Sequence, residues 1–265
     1  FNIEELLFEY DYSIQLHQYN NLISFFALQE DNSTNYVMES ILPNLYSVSG
    51  EATSTVYNSE NNTWTGSLAE IDLSSGYWIN MDNSDILEHS GYPINEQRIY
   101  HLNKDANLVS FPSPGSVGIS EGLPDNIEDS IIAILGEGLS AINTENGWEG
   151  SLMQFEGLHG YWIITSSDIS FSYDLSNQSL SRKFNPYKES AIPNNFNYIQ
   201  SSQQAFYYVD DINLSNNKIN KGDLLISYCG NTVAGAREWL GEKIDIPVMG
   251  YEGNLHTAGY CEVGD

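Results

Sequence analysis

The residues best suited to bind a metal ion lie close together near residue 210. Asp210, Asp211, Asn213 and Asp223 offer carboxylate and amide oxygens, which are the ligands that Ca²⁺ prefers. The spacing Asp211-x-Asn213-x-Ser215 is similar to the start of a calcium loop, but the glycine and the closing glutamate of an EF-hand are missing. We therefore expect no bound cofactor and keep Ca²⁺ at these four residues as the alternative.

Two short motifs are typical of catalysis or nucleotide binding, but their surroundings do not suit either function. The segment from Gly118 to Gly122 matches G-x-S-x-G, a motif that needs a strand before it and a helix after it, whereas Pro112 and Pro114 precede it. The segment Gly136-Glu137-Gly138 follows an apolar run, as in a dinucleotide fingerprint, but a hairpin signal follows it instead of a helix. The five histidines show no metal-ligand spacing: His17, His89, His101, His159 and His256. We expect that the chain is not an enzyme.

Several side chains of the same region are suited to binding a ligand. The candidates are aromatic rings that can stack on a sugar, together with one neighbouring cation: Tyr207, Tyr208, Tyr251, Arg237 and Trp239. For Arg237 and Trp239 a structural role, in stacking or in a buried ion pair, is the favoured interpretation.

The charge of the chain excludes some partners. It has 9 Lys and Arg against 36 Asp and Glu, a formal net charge of -27, which repels nucleic acids and anionic membrane surfaces. No apolar run approaches the roughly 18–20 residues that a membrane span needs. Cys229 and Cys261 are predicted to form a disulfide if the compartment is oxidising, with two separate buried thiols as the alternative.

The elements that must position these residues begin with a duplicated unit. Asn21 to Phe25 matches Asn107 to Phe111, and Gly76 to Ile79 matches Gly160 to Ile163, with Gly-Tyr-Trp-Ile in both copies. Other pairs keep the same order at offsets of 83 to 86 residues, among them Gly50-Glu51 with Gly136-Glu137 and Trp64 to Leu68 with Trp148 to Leu152. Ordered self-similarity indicates a repeated structural unit. We expect the anchors to fill each core or to close one end of it: Trp64, Tyr77, Trp78, Trp148, Tyr161 and Trp162.

The pattern within each copy is mainly β with one short helix. Val37, Met38, Ile41 and Leu42 are spaced on one helical face, and Pro43 is expected to end the helix. The pair Asn146-Gly147 predicts a type I′ hairpin turn before Trp148, and the glycines around Glu137 predict a turn or bulge shared by both copies.

The predicted organisation therefore has four parts. Residues 1–96 form repeat 1, 97–176 form repeat 2, 177–193 form a polar linker, and 194–265 form an antiparallel β-sandwich-like domain, the third unit, for which a truncated sheet is an open alternative. The fold class is mainly β, with two like β modules followed by the sandwich-like domain.

Both kinds of unit resemble modules of large secreted or surface-attached proteins of marine and Bacteroidetes-like bacteria. The repeats resemble a tandem module with N-L-I-S-(F/Y)-P, G-E-G, W-x-G-S-L and G-Y-W-(I/V). The third unit resembles a companion domain through Gln200 to Tyr208, Gly222-Asp223, Ala234 to Trp239, Asp245 to Gly250 and Ala258 to Asp265. The resemblance covers nearly the whole chain and implies an extracellular accessory region of a longer polypeptide. Relatives often carry further cysteines in the third unit that are absent here, and no catalytic residue is carried over.

The sequence supports three hypotheses about function. The first is a non-enzymatic structural or adhesive module of a larger secreted or cell-surface bacterial protein, with other domains of the same polypeptide or copies of itself as partners. The second is a carbohydrate-binding accessory module of an extracellular enzyme, with a polysaccharide as partner; exposed tryptophans would favour it. The third is a subunit of an extracellular filament or sheath, joined through open sheet edges.

Overall fold

The computed structural model describes residues 8–180, 192–213 and 219–264, which form a mainly β protein. In repeat 1 one sheet has the strand order β2-β7-β4-β5-β6, and β8 pairs with both β1 and β3. The elements are β1 (Tyr10–Leu16), β2 (Tyr19–Ser24), β3 (Ala27–Leu28), α1 (Thr34–Val37), the 3₁₀ helix Glu39–Asn44, β4 (Leu45–Ser49), β5 (Ser54–Asn58), β6 (Thr63–Gly66), β7 (Gly76–Met81) and β8 (Asp85–Pro93).

Repeat 2 has a sheet of the same topology, with the strand order β10-β16-β12-β13-β14. Two strand pairs flank this sheet, β9 with β17 and β11 with β15. The elements are β9 (Tyr100–Leu102), β10 (Asp105–Ser110), β11 (Ser116–Gly118), α2 (Ile119–Gly122), α3 (Asp125–Glu128), β12 (Ile131–Leu135), β13 (Ser140–Thr144), β14 (Gly147–Gly150), β15 (Gln154–Glu156), β16 (Gly160–Thr165) and β17 (Ile169–Phe171).

The two sheets also agree in strand register. Ser24 pairs with Gly76 in repeat 1, and Ser110 pairs with Gly160 in repeat 2. Each sheet has one irregularity at the same place, at Tyr46 of β4 and at Ile132 of β12, where an extra residue bulges from the strand. The prediction of two like β modules is therefore confirmed.

A side-chain amide stabilises the same unusual backbone turn in both repeats. Asn21 donates to the carbonyl oxygen of Tyr19 at 2.9 Å, and Asn107 donates to that of Asp105 at 3.1 Å. Tyr19 and Asp105 have φ angles of 71° and 77°, in the left-handed region that non-glycine residues seldom adopt. The asparagine of the repeated Asn-Leu-(Ile/Val)-Ser-Phe segment therefore has a structural role.

The tyrosines of the two Gly-Tyr-Trp-Ile segments point into the two main cores. The Tyr77 hydroxyl accepts the backbone N–H of Asp72 at 2.6 Å, and the Tyr161 hydroxyl accepts that of Glu156 at 2.7 Å. Burial raises the pKa of both hydroxyls, so they remain protonated. Each tyrosine therefore fills a core and accepts a backbone N–H bond at the same time.

The predicted helix of repeat 1 is shorter than the apolar spacing suggested. The α-helix α1 ends at Val37, and a 3₁₀ helix continues to Asn44 with Pro43 inside it, so the proline does not end the helical segment. The burial pattern was predicted correctly in outline, because Met38 and Ile41 are completely buried. A tighter 3₁₀ turn tolerates the proline in this short segment.

The predicted hairpin turn before Trp148 lies one residue earlier than expected. Thr144 pairs with Gly147, so Glu145 and Asn146 form the loop, and Gly147 has a φ of 98° at the start of β14. Glycine is needed at this position because L-residues avoid that φ.

The third unit consists of two antiparallel strand pairs. Its elements are the 3₁₀ helix Asn194–Phe196 and the strands β18 (Gln204–Val209), β19 (Leu224–Cys229), β20 (Thr232–Glu238) and β21 (Ile244–Met249). β18 pairs with β21, and β19 forms a hairpin with β20. The two layers approach so closely that a Cβ on Gly235 would lie 1.8 Å from the carbonyl oxygen of Pro247. Most of the predicted linker 177–193 lies outside the described residues.

The predicted cysteine pair is present in the third unit. Cys229 at the end of β19 and Cys261 form a disulfide, with their Cα atoms 5.3 Å apart. The bond fastens the segment that follows β21 to the β19–β20 hairpin.

Candidate functional site

The tryptophans of the repeated segment lie between the repeats. Leu22, Trp78 and Leu108 form a buried cluster, and Trp162 packs against it. Each repeat thus contributes one leucine from its first sheet strand and one tryptophan. The Gly-Tyr-Trp-Ile segment recurs because its tyrosine and isoleucine face the core of their own repeat, whereas its tryptophan faces the other repeat.

The glycine of the same segment allows the two sheets to meet. A Cβ on Gly160 would lie 2.7 Å from the carbonyl oxygen of Ile23 and 3.2 Å from the Cα of Gly76. A Cβ on Gly76 would lie 3.0 Å from the carbonyl oxygen of Val109. Both glycines are therefore required by the close approach of the opposite backbone.

The contact between the repeats is reciprocal. The Glu51 carboxylate of repeat 1 accepts the backbone N–H of Leu108 at 2.9 Å, and the Glu137 carboxylate of repeat 2 accepts that of Leu22 at 2.8 Å. The glutamate of each repeat contacts the leucine of the other repeat, so the two contacts are equivalent, as in a two-fold symmetric dimer. The repeated Gly-Glu pairs therefore form a contact between modules, in addition to their place in a turn.

A buried ion pair fixes the third unit on repeat 2. The Arg237 guanidinium and the Asp245 carboxylate are 3.0 Å apart, and both side chains are almost fully buried. Arg237 also donates to the Gly138 carbonyl oxygen at 2.6 Å, and Asp245 accepts the backbone N–H and the hydroxyl of Ser151. Because both charges are satisfied across the boundary, the two units form one packed body.

The other proposed ligand-binding residues divide between this contact and the surface. Tyr208 donates to the Ser140 hydroxyl at 2.8 Å, and Trp239 is 7% exposed within the core of repeat 2. Tyr207 and Tyr251 are 62% and 39% exposed. Arg237, Trp239 and Tyr208 therefore have structural roles, and Tyr207 and Tyr251 are left accessible.

The four residues proposed for calcium are engaged separately. Asp210 lies 2.8 Å from the Lys243 ammonium, and Asp211 and Asp223 each accept a nearby backbone N–H. Asn213 is exposed. No group of three or more His, Cys, Asp or Glu side chains in the described ranges is arranged to hold a metal ion. Calcium binding remains a prediction without a visible ligand cluster.

The remaining tryptophan anchors pack on the outside of each core. Trp64 donates its indole N–H to Asn35 at 3.1 Å, and Trp148 donates to Glu128 at 2.5 Å. Trp148 lines a cavity of about 810 Å³ whose other walls carry several carboxylates. Ser120 of the G-x-S-x-G match is an exposed residue of the short helix α2 and lines the same cavity.

A groove runs along the boundary of all three units. Two adjoining cavities of about 590 Å³ and 570 Å³ share Gln18, Tyr19 and Ile199 in their walls. We call them together the seam groove. Residues from repeat 1, repeat 2 and the third unit line it, including Asn20, Tyr46, Asn80, Asp82, Glu137, Gly138, Arg237, Glu252, Asn254 and His256.

The wall contributed by the third unit is fixed by one carboxylate. Glu252 accepts hydrogen bonds from the Asn20 amide at 3.0 Å and from the backbone N–H and hydroxyl of Ser202 at 2.6 Å each. Asn254 donates to the same carboxylate at 3.2 Å. These bonds join the loop after β21 to the first sheet strand of repeat 1, so the shape of the groove does not depend on a ligand.

Aromatic side chains lie in the other wall. Tyr46, at the bulge of β4, is 51% exposed. The Tyr19 ring lies 4.6 Å from that of His256, so repeat 1 and the third unit also meet through aromatic rings. An exposed tyrosine in a cavity that is also lined by amide side chains has the chemistry of a site for polar ring compounds.

Sequence reasoning did not find this groove, although the duplication contained a signal for it. Asn20 pairs with Asn80 across the sheet of repeat 1, and Ala106 pairs with Ile164 at the same place in repeat 2. The bulge residue changes from Tyr46 to Ile132. Positions at which otherwise matching copies differ in polarity were the available clue.

Comparisons of the chain with models of known protein families, with curated proteins and with solved structures found no match. Within residues 8–180, 192–213 and 219–264, no helix has the length and apolar character needed to cross a membrane.

Proposed function

We propose that the chain is a non-enzymatic structural and adhesive module of a larger secreted or cell-surface protein. The observation that carries this proposal is that the repeated residues have structural positions. The repeated Gly-Tyr-Trp-Ile and Gly-Glu segments build the two cores and the contact between them, so what recurs in the sequence contributes packing and not reactive groups.

The contacts of the third unit support the same function. A buried ion pair with hydrogen bonds to both units and a disulfide favour a body that keeps its shape when the chain is stretched or attacked by proteases. A net charge of -27 favours solubility in an exposed, salty compartment, where ionic strength screens the repulsion. Other domains of the same polypeptide are the expected neighbours.

The absence of catalysis is tested by incubating the purified chain with chromogenic glycosides, esters and peptides. We expect no turnover above that of buffer. Turnover that is abolished by Ser120→Ala, but not by the same change at the exposed Ser84, would refute the proposal and identify the G-x-S-x-G segment as a nucleophile.

Rigidity and assembly are tested in solution. Tryptophan fluorescence and far-UV circular dichroism should report one coincident urea transition, because the three units share packed boundaries. Sedimentation at several protein concentrations should give one constant size. Separate transitions would contradict the rigid module, and growth with concentration would favour the filament or sheath subunit.

The carbohydrate-binding alternative is favoured by one specific observation, the seam groove with its exposed Tyr46 and its amide-lined walls.

A further inference from the structure

We propose that the seam groove binds an uncharged oligosaccharide chain, with Tyr46 as the stacking platform and with Asn80 and Asp82 of repeat 1 as hydrogen-bonding groups. This inference rests on the adhesive part of the proposed function and names its ligand class. The groove is open along the boundary of the units, which suits a linear chain better than a small compact molecule.

The platform is an aromatic side chain placed where folding does not need one. Tyr46 sits on a β-bulge with half of its surface exposed, and the equivalent bulge in repeat 2 holds Ile132, which is also 51% exposed. The bulge itself therefore does not require an aromatic residue. A sugar ring presents an apolar C–H face to such a ring, and burying both surfaces is favourable.

Polar side chains line the groove beside the platform. The Asn80 amide donates to the side-chain oxygen Oδ1 of Asn20 at 2.8 Å, and Asn20, which is buried and donates to Gln200 and Glu252, holds Asn80 in place. Asn80 and Asp82 line the same cavity. Hydroxyl groups of a sugar both donate and accept, so amide and carboxylate groups fixed beside a ring match them in both directions.

The charges of the groove favour a neutral ligand. The Glu252 carboxylate is already occupied by protein donors from Asn20, Ser202 and Asn254. The Glu137 carboxylate accepts the Leu22 N–H and lies 2.7 Å from His17. A cation at Glu252 or Glu137 would have to displace these partners, and an anionic polysaccharide would be repelled by the charge of the whole chain.

The matching face of repeat 2 provides an internal control. Where repeat 1 has Asn20, Asn80 and Tyr46, repeat 2 has Ala106, Ile164 and Ile132. That face keeps the same backbone but has neither the amides nor the aromatic ring. Any binding that depends on side chains should therefore be restricted to repeat 1.

The test is a calorimetric and NMR titration of the whole chain with hexasaccharides of β-1,4-glucose, β-1,3-glucose, β-1,4-mannose and α-1,6-mannose. A hexamer of guluronate serves as the charged probe. At least one neutral probe should bind and the uronate should not. Tyr46→Ala should weaken that binding by about tenfold or more, the equivalent of one lost stacking contact.

The matched control is Ile132→Ala, which makes the same truncation at the equivalent bulge and should leave binding unchanged. Unfolding midpoints of both variants are measured first, and the exposed positions of both residues favour folded proteins. The inference is overturned if no neutral probe binds, if guluronate binds as tightly as the neutral probes, or if both variants weaken binding equally. In any of these cases, coincident unfolding and constant size would still support the structural module, so the two proposals fail separately.

Discussion

Repeat 1 and repeat 2 share the residues of their repeated segments but differ at several positions on one face of the sheet. Both have the same strand order, the same bulge and a tyrosine that fills the core. On the face that lines the seam groove, however, an asparagine pair and Tyr46 in repeat 1 correspond to an aliphatic set in repeat 2. The comparison shows that packing constrains the buried residues of this module, whereas its surface can acquire separate roles.

The turn after the third sheet strand shows the same contrast. In repeat 2 the turn from Gly136 to Leu139 is largely covered by the third unit, whereas the equivalent turn from Gly50 to Thr53 in repeat 1 is largely exposed. Gly138 has a φ of 63°, and Ala52 has a φ of 69° at the equivalent position. One framework therefore serves as a docking site in one copy and as free surface in the other.

The largest effect is expected from breaking the docking contact that only repeat 2 makes. Asp245→Ala leaves Arg237 buried without its partner, and losing one half of a buried pair costs about 3–5 kcal/mol of unfolding free energy. Urea unfolding measures this loss. Hydrogen exchange at the Ser151 amide should accelerate, whereas exchange at the equivalent Ser67 should not, because Ser67 donates within repeat 1.

The control is Arg98→Ala, which removes an exposed pair with Asp72 at 3.8 Å and an exposed hydrogen bond to Ser74 at 3.3 Å, and should cost less than about 0.5 kcal/mol. Equal losses in the two variants would mean that the buried pair does not hold the third unit in place.

The next effect tests the symmetry of the contact between the repeats. Glu51→Ala and Glu137→Ala each leave a backbone N–H of the opposite repeat without its acceptor, at a cost of about 1–3 kcal/mol in unfolding free energy. The Glu137 variant should lose more, because Glu137 also contacts His17. If one change were neutral in urea unfolding, the reciprocal arrangement would be incorrect.

A smaller effect separates the two turns. Gly138→Ala should destabilise the protein by about 1–2 kcal/mol, since alanine is strained at a positive φ and its Cβ would lie 3.1 Å from the Gln200 side chain. The reverse change, Ala52→Gly, relieves backbone strain in the folded state but raises the conformational entropy of the unfolded chain. The two effects oppose each other, so the unfolding free energy should change by less than about 1 kcal/mol. Thermal unfolding of both variants measures the difference, and equal and opposite shifts would argue against a special role of the docked turn.

The smallest effect is a pH dependence confined to repeat 1. His89 packs against Tyr12, Phe25 and Tyr36, and burial lowers its pKa below 6.5; its Nε2 has no hydrogen-bond partner within the described part of the chain. The unfolded state therefore takes up the proton first, and stability should fall as the pH drops below about 6.5. The carboxylates of Asp11, Glu39 and Glu88, which line the same cavity, oppose this shift without cancelling it.

In repeat 2 the equivalent of Phe25 is Phe111, and its ring packs against Tyr173, which lies 84 residues after His89. The substitution His89→Tyr therefore introduces into repeat 1 the residue that repeat 2 has at this position. The variant should flatten the decline in stability between about pH 7 and pH 5. His101→Tyr, at an exposed position, is the control and should keep the slope of the parent chain. An unchanged slope in His89→Tyr would rule out His89 as the source.

Much of the framework was predictable because packing leaves a periodic and repeated trace in sequence. The duplicated segments predicted the two like modules, and the apolar spacing around Met38 and Ile41 identified buried residues. The end of the helix and the turn at Gly147 were misplaced by a few residues, since local signals do not show which of two neighbouring turns the strand register selects.

Beyond the differences in polarity between the copies, the sequence did not predict the candidate groove, because its walls are brought together only by the docking of three units. Tyr46 and Glu252 are 206 residues apart and have no motif in common. Calcium binding near Asp210 stays a prediction. Spacing along the chain does not reveal that Lys243, in the connection between β20 and β21, lies 2.8 Å from the Asp210 carboxylate.

The reciprocal contact between the repeats has a consequence for the origin of the chain. A surface that fits its own rotated copy is the kind through which identical subunits associate. An ancestral protein with one such repeat could have formed a homodimer before its gene was duplicated in tandem. Fusion of the two copies would then have held the partners together at a high effective concentration. Once tethered, the two halves no longer had to remain identical, so each could change the residues that it presents to an appended domain.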